Sequence, residues 1–256
     1  MDNETEFCRT EMLFGREALE ALRRVRVAVF GVGGVGGYVV EALARSGVGA
    51  LDLFDKDTVS VSNVNRQLCA LHSTIGRPKV EVVAERVRDI NPACAVCAHT
   101  MFYMPDNADD VDLGAFDYVA DCIDTVTAKV ELARRCHALR VPLVSSMGAA
   151  NKMDPTAFRV VDITKTAMDP IAKIMRKKLR HMGIPHLKVV YSEERPIKPI
   201  VSANSPEGLS DAAVATGGSL VGPRRPVPAS NAFVPATAGL VLGGEIVRDI
   251  IGCTGT

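Results

Sequence analysis

The chain has 256 residues, 47% of them hydrophobic, so it can form one large α/β domain or two small ones around a sizeable core. Its 30 basic and 30 acidic residues cancel, which excludes a protein drawn as a whole to nucleic acid or to a membrane surface; a polyanionic partner would need a local basic patch. The seven cysteines are odd in number and irregularly spaced, which favours reduced thiols and a cytoplasmic location over a disulfide scaffold.

No secretory signal or membrane-spanning segment is expected. The first residues are polar and acidic, unlike a signal peptide. The most apolar late segment, 232–251, is interrupted by a proline and by charged residues, whereas a spanning helix needs about 20 apolar residues with few charges. We therefore expect a core helix here, over about 237–251.

The amino-terminal part predicts a nucleotide-binding βαβ unit. After a helical segment broken at Gly15, an apolar strand at 25–30 leads into a GxGxxG turn, a helix at 38–45 and a strand at 50–54 that ends on Asp55. Glycines at a strand-to-helix turn let backbone N–H groups approach a phosphate, and a carboxylate about 20 residues on can bind a ribose hydroxyl. From the glycines alone NAD(P) or FAD is favoured, with a purely structural turn as the alternative. The glycines of the turn are Gly31, Gly33, Gly34 and Gly36.

A polar loop follows Asp55, where a dehydrogenase would normally continue into another helix. Doubly wound sheets bind ligands beside the carboxyl ends of their strands, so this loop is either part of a site or a solvated turn. The next helix starts at 76–79 with a proline near its first position, and Asn91 and Pro92 end it. Lys79 lies on its first turn, where a cation is unfavourable for the helix dipole. That position suits a lysine that holds an anion, and a surface lysine is the alternative. The side-chain donors of the loop are Ser62, Asn63, Asn65, Arg66 and Gln67.

Cys94 and Cys97 form a lone CxxC pair. A structural zinc site needs four ligands, and no second pair has matching spacing. A strand at 95–98 explains the pair more simply, so no zinc site is expected.

The next predicted strand, 116–124, carries Asp121 and Asp124 at its end. Carboxylates at this edge of a parallel sheet commonly meet a ribose, a metal or a substrate. A helix at 125–139 and a strand at 141–146 continue the alternation, which predicts a parallel sheet with right-handed crossovers.

The second half of the chain changes character. Strands at 158–163 and 187–191 predict a smaller, partly antiparallel extension, so the expected fold is α/β, Rossmann-like, with a mostly parallel sheet. The segment 202–230 is rich in Ser, Gly, Pro and Ala, which predicts a loop or a partial lid.

Between those two strands lies a predicted helix with one basic side. Asp169 can cap its start, with Pro170 in the first turn and Gly183 past its end. A one-sided basic helix is usually a solvated face, but contact with a phosphate backbone would relieve the repulsion between its charges. The predicted apolar side is Ile171, Ile174, Met175, Leu179 and Met182, and the basic side is Lys173, Arg176, Lys177 and Arg180.

Four blocks of the chain, 31–36, 55–67, 76–79 and 121–124, occur in order and at fitting distances. Together they resemble the ubiquitin-activating-enzyme-like superfamily, to which ThiF, MoeB and HesA belong. The resemblance implies that ATP is the nucleotide and that the reaction is adenylation of a carboxylate. It also implies a single adenylating domain over 1–256, with a nucleotide-binding half at 1–150 and a substrate-binding and dimer half at 151–256.

The resemblance assigns roles to individual residues. It implies that Asp55 binds the ribose. Asn63, Arg66 and Lys79 would hold the phosphates, and Asp124 would position Mg²⁺ or the attacking carboxylate near the α-phosphate. The implied catalytic residues are Arg66, Lys79 and Asp124; the other implied ATP contacts are the glycine turn, Asp57, Thr125 and, from the partner subunit of a homodimer, Arg9.

Within the superfamily the chain is most similar to the branch that dehydrates threonylcarbamoyladenosine in tRNA. This closer resemblance lies in 9–15, 148–155, 162–170 and 191–194. It implies that ATP activates the threonyl carboxylate on the adenosine beside the anticodon, and that the tethered carbamoyl group then closes a ring and expels AMP, with loss of water overall. It implies that Lys165 and Thr166 contact the substrate carboxylate or phosphate. The tRNA-backbone contacts that it implies are Lys173, Arg176, Lys177 and Arg180.

Two other functions stay open on the sequence. An adenylating activator of a ubiquitin-like sulfur-carrier protein would use the same ATP site, but such MoeB- and ThiF-type activators carry two CxxC pairs for zinc. No cysteine occurs between Cys136 and Cys253 here, which disfavours this function. A non-catalytic module would keep only the fold, and the retained Arg66, Lys79 and Asp124 disfavour it. The sequence does not identify a sulfur-relay partner such as a cysteine desulfurase.

Overall fold

Seven short strands form the frame on which the candidate site residues are placed. The computed structural model describes residues 5–200 and 228–252. The strands lie in the order β3-β2-β1-β4-β5-β7-β6, and neighbours run parallel except for the antiparallel pair β6 and β7. The predicted fold class is therefore confirmed. The strands are β1 (Arg26–Phe30), β2 (Ala50–Phe54), β3 (Ala95–His99), β4 (Tyr118–Asp121), β5 (Leu143–Ser146), β6 (Phe158–Asp162) and β7 (Lys188–Ser192).

Helices cover both faces of the sheet. α3, α4 and α7 pack on one face, and α5 and α6 pack on the other. Since both faces are covered, the central strands are buried on both sides and are mostly apolar rather than alternating. The helices are α1 (Cys8–Phe14), α2 (Arg16–Arg24), α3 (Gly36–Arg45), α4 (Lys79–Ile90), α5 (Val126–Leu139), α6 (Pro170–His181) and α7 (Val234–Ile250).

The strand register brings the candidate site together. Phe30 at the end of β1 lies in register with Phe54 of β2 and Asp121 of β4, the last residues of those strands. Three parallel neighbours therefore end at the same level. The segments that follow them, beginning with Gly31, Asp55 and residue 122, meet at one edge of the sheet.

α7 lies directly against α3, behind the glycine turn. A Cβ on Gly239 would lie 2.3 Å from the backbone oxygen of Val35, and one on Gly243 would lie 2.7 Å from the Cβ of Ala42. Both positions need glycine because the two backbones approach so closely. In the part of the chain that the structure describes, no helix has the length and apolarity needed to cross a membrane.

The predicted end of β4 was wrong, and one predicted loop is largely untested. β4 ends at Asp121 rather than at 124, because a carboxylate oxygen of Asp121 accepts the N–H of Ile123 at 3.1 Å and turns the chain out of the sheet. The CxxC segment does form a strand, β3, as predicted. Most of the predicted loop 202–230 lies outside the described residues.

The predicted apolar side of α6 was partly wrong. Ile174 and Met182 are 45% and 49% exposed, respectively, whereas Met175 and Leu179 are buried together with Ala172. The helix packs against the neighbouring α5 and β7 through a narrower stripe than the sequence suggested. Its start was predicted correctly, since the carboxylate of Asp169 accepts the N–H of Ala172 at 2.9 Å.

Candidate nucleotide site

The turn between β1 and α3 is built so that only glycine fits at its ends. Gly31 has φ of 85°, and a Cβ there would lie 2.8 Å from the backbone oxygen of Cys122. A Cβ on Gly36 would lie 1.7 Å from the backbone oxygen of Gly31. No side chain caps the start of α3. The N–H groups of Gly37, Tyr38 and Val39 already donate to the carbonyls of Gly33 and Val35. The N–H groups left for an anion at this helix start are therefore those of the preceding turn, 33–36.

Asp55 ties the end of β2 to this turn. One carboxylate oxygen accepts the N–H of Val32 and the other accepts the N–H of Asp57, each at 2.9 Å. Burial raises the pKa of Asp55, against the opposing field of Lys79 and these two backbone donors. A carboxylate can accept about four hydrogen bonds, so two acceptor positions remain for the hydroxyls of a ribose.

Lys79 is buried, so the surface-lysine alternative is wrong. Its ammonium lies 2.9 Å from the carboxylate of Asp57, and the two side chains are 4% and 32% exposed, respectively. The backbone N–H of Lys79 also donates to the carbonyl of Asp57 at 3.0 Å. This double attachment explains how a cation is kept in the first turn of α4, where the helix dipole disfavours it.

Asn63 has a buried donor without a partner. Its side-chain oxygen accepts the N–H of Ser60 at 3.1 Å, but its side-chain nitrogen is buried and donates to none of the described residues. An unsatisfied buried donor costs about 1–3 kcal/mol. An acceptor such as a phosphate oxygen would satisfy it, so the polar loop fits an anionic ligand better than a solvated turn.

The rest of the polar loop lies against the glycine turn. The guanidinium of Arg66 donates to the carbonyl of Ser62 at 2.8 Å and to the side chain of Asn65 at 3.1 Å. Carbon atoms of Arg66 pack beside Gly34, and the buried amide of Gln67 faces Gly33. The structure thus places the loop against the glycine turn, and that the two form one ligand site stays a prediction.

The carboxylates of Asp121, at the end of β4, and Asp124, just after it, differ completely in their exposure to solvent. Asp121 is fully buried, and it accepts hydrogen bonds from Lys129 at 3.0 Å and from the hydroxyl of Ser145. Asp124 is exposed, and its one described partner is the hydroxyl of Thr125 at 3.2 Å. Only Asp124 is therefore open to a ligand.

Sequence reasoning missed two buried lysines. Lys129 pairs with Asp121, and Lys152 pairs with Asp169 at 3.1 Å. The position of Lys129 was a signal, because it precedes the buried Leu132 by three residues and therefore shares its helix face. Lys152 lies in a loop, where no periodicity could have revealed its burial.

The predicted substrate residues fall into two groups. Thr166 is buried, and its hydroxyl donates to the carbonyl of Ile163 at 2.7 Å. Arg176 donates to the carbonyl and the hydroxyl of Thr166 at 2.9 and 2.6 Å, so its half-buried side chain is held against Thr166. The exposed members, which face solvent, are Lys165, Lys173, Lys177 and Arg180.

Arg9 lies on α1, which projects two exposed apolar side chains. Met12 and Leu13 are 87% and 77% exposed. Arg9 itself is exposed and makes no ion pair with another residue in the described ranges. Its predicted role in a partner subunit stays a prediction.

The fold and the site define the class of protein. The family model described as the ThiF family matches residues 7–254. This chain belongs to the ThiF family.

The similar proteins include one that matches nearly the whole chain. The tRNA threonylcarbamoyladenosine dehydratase of Bacillus subtilis is 47% identical over 247 residues, which is 96% of this chain and 94% of that protein. A crystal structure of E. coli tRNA N6-threonylcarbamoyladenosine dehydratase, TcdA, in complex with ATP has a TM-score of 0.81 and 33% identity, and covers 97% of this chain and 94% of that one. The molybdopterin-synthase adenylyltransferase of E. coli is 42% identical, but over only 55% of each chain.

Proposed function

We propose that this protein is an ATP-dependent tRNA threonylcarbamoyladenosine dehydratase. It adenylates the carboxylate of the threonylcarbamoyl group on the adenosine beside the anticodon and closes the group into a ring. The observation that carries the proposal is the extent of the likeness: the dehydratase of Bacillus subtilis matches 96% of this chain, whereas the sulfur-carrier activator of the molybdopterin type matches 55%. The alternative function, activation of a ubiquitin-like sulfur carrier, is less supported for that reason.

ATP lies along the edge formed by the glycine turn and the polar loop. Asp55 holds the ribose with its remaining acceptor positions. The triphosphate lies at the start of α3, where Asn63, Arg66 and Lys79 supply donors. The partnerless amide nitrogen of Asn63 supports this placement, because a phosphate oxygen satisfies it. Asp57 holds Lys79 in place.

Asp124 and Thr125 lie at the α-phosphate end of the site. The exposed carboxylate of Asp124 suits Mg²⁺, which prefers oxygen ligands and is commonly bound by one or two carboxylates plus substrate phosphates. When bound, Mg²⁺ neutralises charge on the phosphates. Asp124 also orients the incoming carboxylate, and Thr125 fixes the rotamer of Asp124 through its hydroxyl.

The reaction has two steps that need no protein nucleophile. A carboxylate oxygen of the substrate attacks the α-phosphorus and the bond to pyrophosphate breaks, which gives an acyl adenylate. The tethered carbamoyl group then attacks the acyl carbon, loses a proton and expels AMP. Tethering and orientation can supply ~7–11 kcal/mol in favourable cases. Burial raises the pKa of the nearby thiols of Cys69 and Cys122, which favours their neutral form over the nucleophilic thiolate.

The second half of the chain binds tRNA, and the protein acts as a cytoplasmic homodimer. The exposed Lys165, Lys173, Lys177 and Arg180 contact the phosphate backbone, while Arg176 holds Thr166 beside the substrate. Arg9 on α1 reaches the ATP site of the other subunit. The exposed Met12 and Leu13 next to it provide an apolar surface for the contact between subunits.

The test is pyrophosphate release with two competing substrates. We expect release to be stimulated by tRNA that carries the threonylcarbamoyl group and not by a carrier protein that ends in Gly-Gly. Mass spectrometry of the digested tRNA should show the modified nucleoside lighter by one water. Stimulation by the carrier protein alone would favour the sulfur-carrier activator. If neither substrate stimulates release, both functions are contradicted.

A further inference from the structure

Two buried ion pairs hold the exit of β5, which is the backbone of residues 146–148. The ammonium of Lys129 donates to the carbonyl of Ser146 at 2.7 Å, and that of Lys152 donates to the carbonyl of Gly148 at 2.6 Å. Only Met147 separates these two carbonyls, and its own N–H donates to the carbonyl of Val190 in β7 at 2.8 Å. The backbone at 146–148 is therefore fixed on three sides.

Each lysine connects this exit to a different functional region. Lys129 also donates to the carboxylate of Asp121 at 3.0 Å, and the other oxygen of Asp121 accepts the N–H of Ile123 in the turn that leads to Asp124. The contacts thus run from the exit of β5 to the residue proposed to act at the α-phosphate.

On the other side, Lys152 pairs with Asp169 at 3.1 Å, and the second oxygen of Asp169 caps the start of α6. A Cβ on Gly148 would lie 3.1 Å from the carboxylate of Asp169, so the start of α6 is packed directly on the exit of β5. The two lysines therefore connect the turn that carries Asp124 to the start of α6 through the backbone of residues 146–148.

These two ion pairs are more deeply buried than the other ion pairs among the described residues. The side chains are 1% and 0% exposed in both pairs, whereas every other pair has at least one partner exposed by 10% or more. Fully buried ion pairs give little net stability compared with apolar side chains, because removing both charges from water is costly. Their value lies in a unique geometry, and here that geometry spans the two halves of the site.

We propose that Lys129 and Lys152 are positioning residues, which hold the Asp124 turn and the start of α6 at a fixed separation through the exit of β5. This inference rests on the proposed function, in which the first element acts at the α-phosphate and the second follows Thr166, which lies beside the substrate. In-line attack at the α-phosphorus depends on that separation. A displacement of about 1 Å can lower a rate by about 100-fold.

The test uses variants that remove both charges of a pair together. Lys129→Met with Asp121→Asn, and Lys152→Met with Asp169→Asn, leave no unpaired buried charge, and Asn also caps helices well. The control is Arg159→Gln with Glu193→Gln, which removes an exposed pair at the edge of the sheet. We expect kcat for tRNA-dependent pyrophosphate release to fall by at least about tenfold in both buried-pair variants, with an unchanged KM for ATP and an unchanged control.

A second measurement needs no activity. In the protein without substrate, backbone hydrogen exchange at 146–149 should be faster in both buried-pair variants than in the control. Folded variants with wild-type kcat and wild-type exchange would overturn the inference. If a double variant fails to fold, Lys152→Arg keeps the charge but replaces the compact ammonium with a larger planar guanidinium, and wild-type kcat together with wild-type exchange at 146–149 in that variant would overturn the inference. A wild-type protein that releases no pyrophosphate would refute the proposed function instead, and the exchange measurement would still decide whether the connection exists.

Discussion

The glycine turn and the basic helix α6 both carry charged candidates, but the fold holds them in different ways. Around the glycine turn, Asp55, Asp57 and Lys79 are fixed by contacts to one another and to the backbone. On α6, Lys173 and Lys177 extend into solvent without ion pairs to the described residues. A site that does chemistry needs preorganised groups, whereas a surface that binds a polyanion needs only accessible charge. The comparison predicts large effects on rate at the first region and graded effects on affinity at the second.

The largest effect is expected at Lys79. Lys79→Met removes a fixed cation from the triphosphate, and AMP formation should fall by about 1,000-fold while the fold survives, because Asp57 is partly exposed and stays hydrated. AMP is measured by chromatography after incubation with ATP and substrate tRNA. Lys56→Met is the matched control, since Lys56 is an exposed neighbour that lies over the ring of Phe102. Equal activity in the two variants would show that Lys79 is a structural residue.

Asp121 and Asp124 allow a comparison of a buried structural carboxylate with an exposed functional one. Asp124→Asn should lower adenylation by about 100-fold with an unchanged Tm, because its side chain is exposed. Asp121→Asn leaves Lys129 buried without its counter-charge and should cost about 3–5 kcal/mol of stability. Thermal unfolding and pyrophosphate release of both variants separate the two roles. A large loss of Tm in Asp124→Asn would contradict the assignment.

Asn63 tests whether its partnerless donor faces the nucleotide. Asn63→Asp keeps the oxygen that accepts the N–H of Ser60 but removes the donor. A hydrogen bond to a charged group is worth about 1.5–3 kcal/mol, so the KM for ATP should rise by about 10- to 100-fold. The neighbouring variant Asn65→Asp is the control. A wild-type KM in Asn63→Asp would mean that the triphosphate lies elsewhere.

On α6 the expected effects are smaller and depend on salt. Lys173→Glu with Lys177→Glu should weaken tRNA binding and reduce the slope of log affinity against log salt by about 1 for each phosphate that the helix no longer binds. Arg176→Gln should instead lower Tm, since Arg176 holds Thr166, and should leave the salt slope close to that of the wild type. If the slope is unchanged in the lysine variant, α6 is a solvated face.

The smallest effect is a pH dependence of stability. Burial raises the pKa of Asp55 above its usual value of 3.8. The folded protein then binds this proton more tightly than the unfolded chain, so the contribution of Asp55 favours the fold below its usual pKa and is lost as pH rises through the raised pKa. The free energy of unfolding of Asp55→Asn minus that of the wild type should therefore rise with pH across this window in denaturant titrations.

The sequence by itself determined the parallel sheet, the glycine turn and the cap of α6. Each depends on residues that are close in the chain: an apolar run such as 25–30 makes a buried strand, glycine spacing makes the turn, and Asp169 caps the helix that begins with Pro170. Local backbone sterics and hydrogen bonds decide these features, so their patterns are visible without a structure.

Only the tertiary structure decided which charges are buried and with what partner. The sequence leaves open whether Lys79 lies on the surface, and the structure places it beside Asp57. Asp121 and Asp124 look alike in the sequence, but Asp121 is buried and paired with Lys129. Arg176, predicted on the charged side of α6, is half-buried and held against Thr166. These outcomes depend on groups brought together from distant parts of the chain. Coulomb attraction and desolvation act through space, so spacing along the chain can indicate that a side chain such as Lys129 is buried but not which partner it meets.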